Sequence, residues 1–132
     1  MGNNSNKEDC ESIPIWVQTI NENPDMLHLD YTPAVHKLAG GGLKAALAIL
    51  PLLHGEDIWE RLRAQRVLEG VIQRTYDWKP GQGYPPQSNG EQEFKTLWQQ
   101  MGNYNGDASA EVRTASEKKW KEWLQNQIEK DE

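Results

Sequence analysis

The stretch Thr32-Pro-Ala-Val-His-Lys-Leu-Ala-Gly-Gly-Gly-Leu-Lys-Ala-Ala-Leu-Ala-Ile-Leu-Pro-Leu-Leu53 decides the fold. Thr32 followed by Pro33 is a helix start, because a threonine hydroxyl can accept from a first-turn amide and the fixed φ of proline suits the first helical position. Val35, Leu38 and Ala39 then supply an apolar stripe. Gly40-Gly-Gly42 ends that helix. Leu43 to Leu53 resumes, apolar nearly all round, and is expected to be buried on more than one side. Pro51 removes an amide donor, so the last turn should bend or stop there.

Working outward, the same signals recur. Asp57-Ile-Trp-Glu60 has capping-box spacing and opens the longest expected helix, to about Thr75. Ile58, Leu62, Leu68, Val71 and Ile72 trace its apolar face, and Arg61, Arg63, Arg66 and Arg74 occupy much of the rest. Upstream, Ser12 and Pro14 start a helix to about Glu22 with Ile13, Trp16, Val17 and Ile20 on one face, stopped by Asn23-Pro24-Asp25. Downstream, Asp77 to Gly90 carries Pro80, Pro85, Pro86 and three glycines and reads as loop. Glu91 to Met101 places Phe94, Leu97, Trp98 and Met101 at helical spacing. After the turn Gly102–Gly106, Asp107 or Ser109 caps a final helix with Val112, Ala115, Trp120, Trp123, Leu124 and Ile128. Strand patterning is scarce. The expected architecture is all-α, a short antiparallel array of about five to six helices with a long Gly/Pro-rich loop. Residues 1–12 read as a flexible polar lead and 13–132 as one helical domain.

The middle segment resembles a HEAT-type helical repeat. Thr32-Pro-Ala-Val-His-Lys-Leu-Ala-Gly-Gly-Gly42 is similar to its first helix and turn, and Leu43 to Leu53 to its second. Asp57 with Arg61-Leu-Arg-Ala-Gln-Arg-Val-Leu-Glu-Gly70 resembles the helix that opens a further unit. The resemblance covers residues 32–75. It departs at Glu60, where an apolar residue is usual, at Val67, which replaces an alanine, and in the length of the loop from Asp77 to Gly90. The chain is also similar to small bacterial proteins of unknown function that pair such a repeat with a Trp-rich C-terminal helix, here Trp120-Lys-Glu-Trp123. The resemblance implies a structural pairing of Asp57 with Arg61 or Arg63, a scaffold or interaction role, and no known reaction.

Composition excludes several classes. The net charge is −6 over 132 residues; residues 1–31 carry one Lys against six Asp and Glu, and only 32–80 is mildly basic. No coherent cationic patch is written, so nucleic acid is not an expected partner. The apolar run Leu43 to Leu53 contains Lys44 and Pro51 and is about half the length a bilayer needs, so no transmembrane segment is expected. Cys10 is the only cysteine, which leaves no internal disulfide and no multi-cysteine zinc site. Asn6 breaks the N-myristoylation pattern. The expected location is cytoplasmic; the alternative is an exported or lipid-anchored protein, for which Asn3 to Asp9 would be the tether after a processed signal. Oligomeric state is not legible.

The sequence carries no catalytic constellation. His28, His36 and His54 lack paired ligand spacing, so neither metal nor cofactor is expected. No nucleophile elbow is present, and Gly40–Gly42 lacks the Lys-Ser/Thr pair of a phosphate loop. No catalytic residue is assigned and an enzyme is not expected. Arg66 and Arg74, left without assigned partners, could flank a shallow groove for an acidic ligand.

Six tryptophans are the main anomaly. Trp16, Trp59, Trp98, Trp120 and Trp123 fall on helices and are expected in the core. Trp78 lies in the Gly/Pro loop, which is either a lid packed on the helices or a recognition element, and Tyr84 is expected to be exposed. The candidate partner-binding residues are therefore Arg74, Trp78, Lys79 and Tyr84. The leading expectation is a non-enzymatic interaction or scaffold module with a protein or peptide partner. The alternative is a small-ligand or peptide-binding accessory protein of the bacterial cell envelope.

Overall fold

The computed structural model describes residues 11–131. Cys10 and most of the expected polar lead lie outside the described residues; Glu11 and Ser12 are already helical. Among the described residues the fold is an all-α array: α1 (11–18), α2 (Pro33–Ala39), α3 (Gly42–Ile49), a 3-10 helix (Leu50–His54), α4 (Ile58–Thr75), α5 (Gly90–Gln100) and α6 (Ala110–Asp131).

α4 is the central element, with α2 and α3 packed on it, and α6 closes over α3 and the 3-10 helix. Ala64, Val67, Leu68, Val71 and Ile72 bury its apolar face against Val35 and Leu38 of α2 and Ala45, Ala46 and Ile49 of α3. Ile13 and Ile20 join this core, as the spacing expects. Thr32 caps α2 as expected: its Oγ1 accepts from the Val35 amide at 3.2 Å and donates to the Ile20 carbonyl at 2.7 Å, which fastens the α1 turn to α2.

The chain tightens at Pro51, where a bend or stop is expected, and departs from the sequence reading at Asp57, Trp59 and Glu60. The helix from Leu43 changes at Leu50 from α to 3-10, because Pro51 has no amide to continue the ladder and the chain tightens. Asp57 caps α4 by accepting from the Trp59 amide at 3.3 Å, but Glu60 does not close a capping box; its carboxylate accepts from Asn21 at 2.8 Å. The Asp57–arginine pair is not formed. Arg61 donates instead to the carbonyls of Gly55, Glu56 and Gly106, and Arg63 to the Leu29 carbonyl and the Asn21 side chain. Trp59 is 40% exposed and lies outside the core, since the buried stretch of α4 begins only at Arg63.

The aromatic cluster joins α5 to α6. Phe94, Trp98, Trp120 and Trp123 form a chain of ring contacts with centroids 5.4 to 5.7 Å apart, and Trp120 is fully buried at its centre. The Trp98 indole donates to the Tyr104 carbonyl at 3.1 Å, and the Tyr104 hydroxyl donates to the Leu53 carbonyl. Val112 and Ala115, expected on the apolar face of α6, are exposed; its buried residues are Ser116, Trp120 and Leu124.

A cleft between two helices and the loop

The loop leaves α4 through a defined cap. Asp77 takes a left-handed φ of 74°, its amide donates to Arg74, and the Trp78 amide donates back to the Gln73 carbonyl at 3.1 Å. This reversal lays the Trp78 ring over the last turn of α4, where the Arg74 guanidinium carbon stands 5.0 Å from the ring centroid. Beyond it Lys79-Pro80-Gly81-Gln82 makes a tight turn: Gly81 has φ 77°, the Gln82 amide donates to Lys79 at 3.1 Å, and Lys79 and Gly83 exchange backbone hydrogen bonds. A loop closed on itself in this way holds its aromatic in place.

Trp78 and Arg74 thereby become one wall of a cleft of about 370 Å³, completed by Tyr31 and His36 from α2 and its lead-in and by Arg66 and Glu69 of α4. Tyr31 and His36 stack with ring centroids 5.2 Å apart. Arg66 donates to Asp30 at 2.6 Å and to Glu69 at 2.7 Å. Burial works against its charge, but these two carboxylates outweigh it and raise its pKa. Arg74 is different: its one hydrogen bond is to the Gly70 carbonyl at 3.0 Å, no carboxylate lies within ion-pair reach among the described residues, and burial lowers its pKa. Burial likewise raises the Tyr31 pKa, keeping its hydroxyl protonated as a donor.

Of the four residues singled out in sequence, Arg74 and Trp78 share the cleft. Lys79 is exposed on the tight turn outside it. Tyr84, expected to be exposed, is half-buried, its hydroxyl oxygen shielded from solvent and without a partner among the described residues. The reason is Gly90 at the start of α5, where an added Cβ would come within 2.9 Å of the Tyr84 ring and 2.2 Å of the Tyr76 carbonyl. Tyr84 therefore packs on α5 and supports the loop from its other side.

Sequence reasoning missed Tyr31, His36 and Glu69, which reach the cleft only through the packing of α2 on α4. It also missed Met26 and Leu27, 84% and 86% exposed. Their short loop is closed by the Asp25 amide on Tyr31 and by the Leu27 amide on the Asp25 carboxylate. No group of three or more His, Cys, Asp or Glu is placed to hold a metal among the described residues, and no described helix is long and apolar enough to cross a membrane. No family model, curated protein or solved structure matches this chain.

Proposed function

We propose that the chain is a HEAT-like, non-enzymatic interaction module that binds a peptide segment of a protein partner in the cleft between α2, α4 and the loop. The observation that carries the reading is Arg74, a half-buried guanidinium held over Trp78 with no carboxylate of its own. Arginine and tryptophan in a sheltered concavity are the residue types on which binding energy concentrates. In this reading Arg74 and Trp78 make the main contacts. Lys79 adds a flexible charge at the rim, and Tyr84 fixes the loop that presents both.

The test compares immobilised wild-type protein with a Trp78→Ala, Lys79→Ala double variant as bait in a native-host lysate, each first checked by thermal melting. A partner retained by wild type and lost by a variant with near-native melting supports the reading. Identical retained proteins, or none, refute it.

A further inference from the structure

The cleft holds two arginines in unlike electrical states. Arg66 is matched by Asp30 at 2.6 Å and Glu69 at 2.7 Å, so a ligand gains little from it. Arg74 spends one donor on Gly70 and one face of its guanidinium on the Trp78 ring. A guanidinium has five N–H donors. The remainder are free to bind an acceptor, and in a sheltered site the best acceptor is an anion, because a charge-assisted pair there loses less to solvent screening. A singly charged anion suits the site better than a phosphate dianion, since Glu69 on the cleft wall and Asp30, which meets the cleft through Arg66, together outnumber the one arginine they share and leave one net negative charge beside Arg74. Around Arg74 the walls are Tyr31, Trp78, Ala39 and Pro80, which suit an aromatic or aliphatic group attached beside that charge.

We propose, building on the peptide-binding reading above, that the ligand is a carboxylate next to an aromatic or apolar side chain, with Arg74 gripping the carboxylate and Trp78 and Tyr31 enclosing the side chain. A carboxylate's two oxygens match the fork of the guanidinium, which a backbone carbonyl cannot do. A C-terminal carboxylate and an acidic side chain offer the same chemistry and are separated by the choice of probe.

The experiment titrates the full 15N-labelled chain with N-acetylphenylalanine and, separately, with its uncharged amide, following the Trp78 indole N–H and the Arg74 Nε–H. A second pair, the amides of N-acetyl-Asp-Phe and N-acetyl-Asn-Phe, asks whether a side-chain carboxylate serves. The expected result is binding about tenfold tighter for the carboxylate in at least one pair, as one charge-assisted contact would give. Arg74→Gln should abolish that difference, and Arg74→Lys should keep part of it. Equal binding of carboxylate and amide in both pairs overturns the carboxylate inference while leaving a peptide-binding cleft intact. A preference that survives Arg74→Gln also overturns it, and so does the absence of any Trp78 response in a chain whose spectrum is otherwise native. The lysate comparison tests the interaction reading without these probes, so the two can fail separately.

Discussion

Arg63 and Arg74 lie on the same helix, about three turns apart, and the structure uses them in opposite ways. Arg63 is buried and satisfied by a backbone carbonyl and an amide oxygen from the segment before α2. The two bonds tie that segment to the middle of α4. Arg74 is half-buried, has one carbonyl of its own helix, and rests on an aromatic face. The tryptophans repeat the contrast: Trp120 is enclosed by two other tryptophan rings, whereas Trp78 is backed by a cation and a self-closed turn. A polar or aromatic group surrounded by long-range partners belongs to the fold. One held only by its sequence neighbours is available to something else.

The contrast can be broken at its structural end first. Trp120→Ala removes the centre of the ring cluster and should cost about 3 to 5 kcal/mol, the range for deleting a buried large aromatic. Chemical denaturation should show it as a sharply lower midpoint or loss of the folded state. A cost under about 1 kcal/mol would mean that the cluster is surface decoration.

Arg63→Met should cost about 2 to 3 kcal/mol in the same measurement, because the Leu29 carbonyl and the Asn21 side chain lose a charged donor at a buried site. The same change at Arg74 should cost under about 1 kcal/mol, since only a carbonyl already inside α4 and one ring contact are lost. Equal costs at the two positions would erase the distinction.

A pH test sharpens it further. Burial pushes the Tyr104 pKa up to about 12 from an unfolded value of 10.0. The folded chain therefore keeps this proton where the unfolded chain has lost it. Tyr104 contributes its full share of stability below pH about 10 and loses it as pH rises toward about 12. Tyr104→Phe should flatten that alkaline fall, although it also removes the hydrogen bond to Leu53 and lowers stability at neutral pH. An unchanged alkaline slope would contradict the assignment.

Much of the fold was legible because its signals are local. Thr32-Pro33, the glycines at 40–42, Pro51 and Asp57 each act within one turn of chain, and each sits at an observed boundary. The pairing of arginines was not legible. Arg61, Arg63 and Arg66 find their long-range partners in the loops at residues 21–30 and 106, and sequence spacing says nothing about which loop arrives at which turn. The candidate site divides in the same way. Arg74 and Trp78 are four residues apart, and the loop's turn chemistry carries one back onto the other, so their association could be read. Tyr31 and His36 come from the lead-in to α2 and from α2 itself, and Tyr84 turns inward because Gly90 makes room for it, a tertiary fit with no local signature.

The most direct measurement is the melting temperature of an Arg74→Gln, Trp78→Ala double variant beside wild type and Trp120→Ala. The two cleft residues are held by sequence neighbours and share one contact, so their joint loss should cost about 1 kcal/mol and lower the melting temperature by roughly 5 °C or less, with a native-like spectrum retained. A fall comparable to that of Trp120→Ala would show that Arg74 and Trp78 hold the fold together, and the cleft would then be a packed corner with nothing to offer a ligand.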